Sequence, residues 1–139
     1  MTLVADSGAL YALYDKTDSW HDDVQRVVKH LNRPIIVPAG ILAEVDYLLR
    51  KFLGVDAELA FLDGFGTGAY TLEPFTAADL NRCRELIAAY RDFDLGLADT
   101  AVMATAERLG ISNILTVDER HFRAVRPKSG PFTLLPADT

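Results

Sequence analysis

Asp99 and Asp118 lie towards opposite ends of the stretch from residue 96 to 122, which is rich in apolar residues. In a helix that starts at residue 97, Asp99 faces the same side as the apolar residues three and four positions later, which predicts a buried side. An unpaired charge on such a side costs on the order of several kcal/mol. Asp118 follows the apolar run 114–117, a predicted buried strand, and ligands of open parallel sheets bind beyond the carboxyl ends of strands. The two acids therefore indicate a shared cation.

Two further acids are expected at the same place. Asp6 directly follows the apolar run 3–5, and Glu44 lies at the edge of the apolar face of a helix predicted after the second strand. With a strand order of 3-2-1-4-5, the first and fourth strands are neighbours, and Asp6 and Asp118 meet at the topological switch point of the sheet. The helices that carry Glu44 and Asp99 can reach the same rim.

A cluster of four carboxylates predicts a particular chemistry. The charges repel one another, so that the pKa values rise unless a cation neutralises them. Ligation by oxygen alone selects Mg²⁺ or Mn²⁺ over zinc. Such a metal can activate water and stabilise a leaving oxygen in a displacement at phosphorus. For a polyanionic substrate, this chemistry is phosphodiester hydrolysis.

Strands and helices alternate along the whole chain. Apolar runs predict strands, and segments of helical periodicity separate them, with Ser19 and Thr76 as predicted N-caps and a turn at Gly64–Gly68. The pattern predicts an α/β fold, a parallel sheet of about five strands with helices on both faces, in one domain over 1–139. The glycine-rich turn follows a helix and precedes a strand, the reverse of a phosphate-binding loop.

Composition narrows the possible functions. A chain of 139 residues is long enough for one domain with a proper core. No apolar run approaches the roughly 18 residues of a membrane span, and no secretory signal is visible. Cys83 is the single cysteine, which fits a reducing, cytoplasmic location. The net charge of −6 argues against binding nucleic acid by bulk electrostatics, but not against reaching phosphates through bound metal.

Four segments together resemble a known family. They are LVADSGALYAL near the start, ILAEVDYLL in the middle, and GLADTAVMATAERLG and ILTVDERHF towards the end. In order and spacing they resemble PIN-domain ribonucleases, in particular the VapC toxins of bacterial toxin–antitoxin pairs. The resemblance implies a PIN-like three-layer fold. By motif, the four-acid site of the family corresponds to Asp6, Glu44, Asp99 and Asp118.

The resemblance also implies properties that composition and spacing do not. These are an endoribonuclease activity on tRNA or rRNA that depends on Mg²⁺ or Mn²⁺, a homodimer, and a small cognate antitoxin whose tail occupies the active-site groove. Thr116, in the T-x-D of the fourth strand, matches a hydroxyl that family members often place near the metal, and Ser7 is a comparable candidate. The apolar surface of the helices between 39 and 62 is a candidate dimer interface.

Each acid also has a simpler interpretation. Asp6 and Asp118 can cap the helices that follow them, and Asp99 can be an acid in the first turn of its helix. Glu44 can pair with Lys51 or be solvated. Asp94, in the loop before the Asp99 helix, can cap that helix or act as an additional ligand.

Basic and histidine residues around Asp118 have less specific interpretations. Arg120, Arg123, Arg126 and Lys128 can guide RNA phosphates or can form a solvated connection. For His121, a surface position is favoured over a contact with substrate.

Two other functions are alternatives to the nuclease. An aspartyl-phosphate mechanism requires an acid two residues after the nucleophile, where this chain has Gly8, and a lysine that residues 96–122 do not offer. A catalytically inactive PIN-like module that binds RNA or protein is the remaining alternative. A pure binder gains nothing from four clustered acids, which favours the nuclease.

Overall fold

A computed structural model describes all 139 residues. The strands are β1 (Val4–Ala5), β2 (Ile35–Pro38), β3 (Tyr70–Glu73), β4 (Asn113–Leu115) and β5 (Thr133–Leu135). The helices are α1 (Ser7–Tyr14), α2 (His21–Lys29), α3 (Leu42–Leu53), α4 (Val55–Thr67), α5 (Ala77–Ala89), α6 (Leu97–Leu109) and α7 (Glu119–Ala124). Two 3-10 turns, Ala39–Ile41 and Arg91–Phe93, precede α3 and α6. None of the helices is both long enough and apolar enough to cross a membrane.

The five strands form one parallel sheet in the order β3-β2-β1-β4-β5, which confirms the predicted fold class and strand order. The central strand β1 aligns Val4 with Ile36 of β2 and with Ile114 of β4. The ladder continues past β1, because the backbone N–H of Asp6 donates to the Leu115 carbonyl at 2.9 Å. The residues after β1 and β4 therefore lie side by side at one edge of the sheet.

Helix α6 lies in the centre of the molecule. Every residue from Thr100 to Ala106 is buried, so this part of the helix is enclosed on all sides rather than on one stripe. Small side chains such as Ala101 and Ala104 allow close approach of neighbouring elements. Asp99 lies one residue before this enclosed segment, where α6 begins at the edge of the core.

Helix α5 holds α6 in place through two ion pairs. Arg82 on α5 contacts Glu107 on α6, with nitrogen–oxygen distances of 2.7 and 3.1 Å. In the reverse direction, Arg108 on α6 contacts Asp79 on α5 at 2.9 and 3.2 Å. The predicted cap Thr76 is confirmed: Thr76 and Asp79 form a reciprocal capping box at the start of α5.

Two predicted boundaries are wrong. The turn predicted at Gly64–Gly68 is the last part of α4, which continues to Thr67 and ends at Gly68 with φ 89°. Gly64 is required for packing, because a Cβ built there would lie 2.4 Å from the Tyr70 ring. Ser19 does not cap α2, because Trp20 is its N-cap residue and the Asp18 carboxylate accepts from the Trp20 N–H.

Candidate active site and metal centre

Asp6 and Thr116 form the buried base of the candidate site, just beyond the carboxyl ends of β1 and β4. One oxygen of the Asp6 carboxylate accepts from the Ser7 backbone N–H at 2.8 Å, and the other accepts from the Thr116 hydroxyl at 2.9 Å. The Thr116 hydroxyl oxygen in turn accepts from the backbone N–H of Asp118 at 3.0 Å. Thr116 thus links the two acids that the strand order predicts to be neighbours.

The electrostatic environment of Asp6 is unfavourable for its charge. Its side chain is almost completely buried, and this burial raises the pKa of Asp6 from 3.8 to about 7. The hydrogen bonds from Thr116 and Ser7 lower the pKa in part, whereas the nearby Asp99 and Asp118 charges raise it further. A cation beside these acids would relieve both the burial cost and the repulsion.

Asp99, Asp118 and His121 form the more open part of the site. One side-chain ligand atom from each residue lies within 4.8 Å of the others. The His121 Nδ1 atom is 2.6 Å from Oδ2 of Asp118 and 4.0 Å from Oδ2 of Asp99. The hydrogen bond to Asp118 is the main reason that the pKa of His121 is raised, and the Asp118 and Asp99 charges act in the same direction.

Three of the acids do take part in helix capping. Asp6 is the N-cap of α1 and Asp118 the N-cap of α7. Asp99 accepts from the Gly96 N–H at 3.1 Å through Oδ2, as part of a capping box at the start of α6. Capping leaves Oδ1 of Asp99 without a hydrogen bond, so this contact does not prevent ligation. Asp99 is half-buried rather than fully buried as its helical stripe predicted.

Glu44 differs from the three other acids in its contacts. It is exposed in the first turn of α3 and forms neither a hydrogen bond nor an ion pair. The alternative pairing with Lys51 is also absent, since the Lys51 ammonium lies 5.4 Å from the Tyr47 ring centroid and 5.3 Å from that of Phe52. The role of Glu44 as a ligand stays a prediction.

The 3-10 turn before α3, the helix that carries Glu44, packs on α6. A Cβ built on Gly40 would lie 3.0 Å from the Ala101 side chain and 3.2 Å from the Phe75 ring. Glycine at this position therefore allows the turn to pack directly on α6, two residues beyond Asp99. The first turn of α3, which carries Glu44, therefore begins beside α6.

The remaining candidates differ in how they contact the site. Asp94 is exposed with φ 53°, and Gly96 rather than Asp94 is the N-cap residue of α6, so the capping hypothesis for Asp94 is wrong. A ligand role for Asp94 stays a prediction. Ser7 is buried and contacts Asp6 through its backbone N–H, whereas no hydrogen bond engages its hydroxyl.

The basic residues near Asp118 fall into two groups. Arg123 is paired with Glu119 at 2.9 Å and with Asp138 at 2.7 Å, so local carboxylates already balance its charge. Arg120 and Arg126 are exposed and form no ion pair. The charges of these two arginines are therefore available to a phosphate, whereas that of Arg123 is already balanced.

His121 is the residue that sequence reasoning underestimated. The signal was present in the D-x-x-H spacing: Asp118 is the N-cap of α7, and His121 three residues later donates its backbone N–H to Oδ1 of Asp118 at 3.1 Å. This geometry turns the imidazole towards the carboxylates. The surface position favoured from the sequence does not account for this contact.

The chemistry of this donor set fits a divalent cation. Carboxylate oxygens are the preferred ligands of Mg²⁺ and Mn²⁺, and imidazole is compatible with transition metals. Asp99 and Asp118 place negative charge close to the buried Asp6, and this repulsion together with burial raises the pKa of Asp6. Asp6, Asp99 and Asp118, with Glu44 as the predicted fourth acid, are the residues that could hold the ion.

Comparison with protein families and curated proteins gives concordant results. The family model of the PIN domain matches residues 3–127. Ribonuclease VapC26 of Mycobacterium tuberculosis is 36% identical over 135 residues, which cover 96% of this chain and 100% of that protein.

Solved structures support the same fold. The crystal structure of M. tuberculosis VapC20, described as a Sarcin-Ricin loop cleaving toxin, has a TM-score of 0.78 at 20% identity, covering 84% of this chain and 90% of that one. VapBC2 from Rickettsia felis, bound to a DNA fragment from its promoter, has a TM-score of 0.69 at 18% identity, with coverage of 96% and 98%. At these identities the likeness concerns the fold alone.

Proposed function

Because this chain belongs to the PIN-domain family and to its VapC-type ribonucleases, we propose that it is an endoribonuclease dependent on Mg²⁺ or Mn²⁺. The observation that carries the proposal is the buried Asp6 carboxylate, whose pKa is raised to about 7 beside Asp99 and Asp118. Such an arrangement is costly to folding unless a cation neutralises it. A bound metal ion would offset this cost to folding, which explains why the acids are clustered.

In the proposed mechanism, Asp6, Asp99, Asp118 and Glu44 would hold one or two divalent ions. A bound ion would supply Lewis acidity for hydrolysis at phosphorus and for stabilisation of the leaving 3′-oxygen. Thr116 and the Ser7 N–H orient the Asp6 carboxylate through hydrogen bonds to its two oxygens. The buried hydroxyl of Thr116 also fixes the backbone of Asp118, so it positions two of the acids at once.

The proposed substrate is RNA, with tRNA or rRNA as the candidates. The similarity to VapC26, a ribonuclease, and to VapC20, described as cleaving the sarcin-ricin loop, supports this class of substrate. With a net charge of −6, the protein must bind RNA through local contacts rather than through its overall field. Arg120, close to Asp118 in sequence and free of ion pairs, is the proposed phosphate contact; Arg123 is a weaker candidate because Glu119 and Asp138 pair with it.

The proposed partners are a small cognate antitoxin and a second copy of this chain. VapBC2, which shares the fold, was solved as VapBC2 bound to promoter DNA, which supports the expectation of an antitoxin. Five large apolar side chains on α3 and α4 are exposed: Tyr47, Phe52, Val55, Leu59 and Leu62. An exposed apolar surface of this kind is typical of a protein–protein interface.

The test is cleavage of total tRNA and of rRNA in the presence of Mn²⁺, Mg²⁺ or EDTA. We expect metal-dependent cuts by the wild type and a loss of at least about 100-fold in Asp99→Asn, because charge stabilisation at the reacting phosphate is a large part of catalysis. Asp63→Asn, a matched substitution of an exposed acid on α4, should cleave like the wild type. Sequencing of the cut ends would identify the target.

The result also separates the nuclease from the inactive binding module. Thermal denaturation with and without Mn²⁺ measures metal binding independently of cleavage, since a ligand that binds only the folded state raises the Tm. A folded protein whose Tm is insensitive to Mn²⁺ and that cuts no RNA would contradict the nuclease and favour the inactive module.

A further inference from the structure

The imidazole of His121 faces the carboxylates of the candidate metal centre but is not one of the four acids of the proposed site. Its Nδ1 atom lies 2.6 Å from Oδ2 of Asp118 and 4.0 Å from Oδ2 of Asp99. The side chain is only 21% exposed, so it is held in the site rather than extended into solvent. The imidazole therefore lies beside the two acids, with an exposure similar to theirs.

We propose that His121 is a nitrogen ligand of the metal ion, together with Asp99 and Asp118, and that it makes the site selective for Mn²⁺ over Mg²⁺. The inference rests on the proposed function, because it concerns the metal centre of the same site. It adds a residue and a metal preference that the four-acid site does not include. An oxygen-only site would not favour Mn²⁺ in this way.

The ring is oriented for ligation through Nδ1, which is the ring nitrogen directed towards Asp99 and Asp118. One ligand atom from each of these three residues lies within 4.8 Å of the others, a spacing that a single ion can span. Binding of an ion at Nδ1 would replace the hydrogen bond that this nitrogen makes with Asp118.

The backbone also fixes the ring in place. His121 is the third residue of α7, and its N–H is bonded to the Asp118 side chain, so one helical turn presents both groups. Asp99 lies in the first turn of α6, on the other side of the site. The donors therefore come from the first turns of two helices, α6 and α7.

The metal preference follows from ligand chemistry. Mg²⁺ demands oxygen ligands and retains water, whereas imidazole suits transition metals. Mn²⁺ lies at the weak end of the transition-metal affinity order, but it accepts carboxylate and imidazole ligands together. One nitrogen ligand among the acids therefore strengthens the binding of Mn²⁺. Replacing the nitrogen by an amide should weaken Mn²⁺ binding more than Mg²⁺ binding.

The alternative role of His121 is to position Asp118 through the 2.6 Å hydrogen bond alone. His121→Gln retains a side chain that can donate to Asp118 but lacks the aromatic nitrogen. The two roles differ in a spectroscopic signature, because only a ligand places ¹⁴N in the coordination sphere of Mn²⁺.

The experiment is pulsed electron paramagnetic resonance of Mn²⁺ bound to the full-length protein, with wild type, His121→Gln and His30→Gln. His30, whose ring contacts the Arg26 carbonyl on the exposed part of α2, is the matched control. We expect directly coordinated ¹⁴N in the wild type and in His30→Gln, and its loss in His121→Gln. Calorimetry should give Mn²⁺ affinity about 10- to 100-fold weaker in His121→Gln, with Mg²⁺ affinity roughly unchanged.

Failure of this inference can be distinguished from failure of the proposed function. Mn²⁺ bound by the wild type without a nitrogen signal would overturn the role of His121 and leave the metal-dependent nuclease intact. No Mn²⁺ binding by the folded wild type would overturn both. The wild-type spectrum decides the ligation by itself, so the result does not depend on whether His121→Gln folds.

Discussion

The hydroxyl of Thr116 shows how much of the site depends on single atoms. It donates to the Asp6 carboxylate and accepts from the Asp118 N–H, so one buried oxygen joins the ends of β1 and β4. Buried polar groups that lose a partner cost about 1–3 kcal/mol. The Thr116 contact partly offsets the burial that raises the pKa of Asp6. At the residue scale, burial disfavours the negative charge of Asp6, and only a few hydrogen bonds stabilise that charge.

The pH dependence of stability should report the strain at Asp6. Its pKa is 3.8 without the fold and about 7 in the folded protein, so between these values the folded state binds more protons than the unfolded state. The free energy of unfolding of the metal-free protein should therefore fall as pH rises from about 4 to about 7, and level off above. The upper limit is about 4 kcal/mol, from three pKa units at about 1.36 kcal/mol each.

The measurement is urea unfolding in EDTA at several pH values, comparing the wild type with Asp6→Asn. The difference between the two proteins isolates this one carboxyl from all other titrating groups. We expect the wild type to lose stability relative to Asp6→Asn across this window, and saturating Mn²⁺ to restore it at pH 7. If the free energy of unfolding depends on pH in the same way in the two proteins, burial of the Asp6 charge is not the cause of the pH dependence.

At the scale of elements, the site depends on how closely helices approach the sheet and one another. α6 is enclosed from Thr100 to Ala106, and α5 fixes it through the Arg82–Glu107 and Asp79–Arg108 ion pairs. Gly40 allows the 3-10 turn before α3 to contact α6. Glycine inside α4 serves the same purpose, since Gly64 lies against the Tyr70 ring of β3.

Gly64→Ala should destabilise the protein although alanine is the better helix former. The added methyl group would lie 2.4 Å from the Tyr70 ring, which is itself packed among Phe61 and Phe65. Overpacking of this kind costs about 1–3 kcal/mol. Gly66→Ala is the matched control in the same helix: its methyl group meets nothing within 4 Å, so helix propensity should stabilise it by up to about 1 kcal/mol.

Chemical denaturation of the three proteins measures both effects. Opposite signs for Gly64→Ala and Gly66→Ala are expected. If both substitutions stabilise the protein, α4 does not pack on Tyr70 as closely as described, and Gly64 would have the turn role that the sequence pattern indicated.

At the scale of the whole molecule, exposed apolar surface and charge determine which partners can bind. Val55, Leu59 and Leu62 have the spacing of one face of α4 and are each at least 42% exposed. The whole chain carries a net charge of −6. A second apolar area on α5 includes Leu80 and Ile87. The helices between 39 and 62, predicted as a dimer interface, carry more exposed large apolar side chains than α5 does.

Leu59→Lys should convert the proposed homodimer to a monomer. A lysine in the centre of the α4 face would place a charge in an apolar interface, which is costly without a partner. Leu80→Lys, with a similarly exposed leucine on α5, is the control and should remain dimeric. Size-exclusion chromatography with light scattering gives the mass directly. A monomeric Leu80→Lys and a dimeric Leu59→Lys would place the interface on α5 instead.

The amino-acid sequence by itself determined the α/β fold and the motifs that identify the family. Alternation of buried strands with amphipathic helices depends on local periodicity, which predicts a parallel sheet. From the sequence, the order 3-2-1-4-5 was a hypothesis; the structure confirms it, and this order brings Asp6 and Asp118 together. Thr116 was recognised through the family resemblance, in the T-x-D motif that it shares with Asp118. These features depend on neighbouring residues or on topology.

Only the tertiary structure decided which groups are in contact. The pKa of Asp6 depends on burial. The 2.6 Å contact of His121 with Asp118 depends on the orientation of the His121 side chain. The exposure of Glu44 depends on the direction that α3 takes after β2. The continuation of α4 through Gly64 depends on a ring six residues away in β3. Periodicity contains none of this information, because such contacts arise from packing between elements whose distances and rotamers the local pattern leaves open.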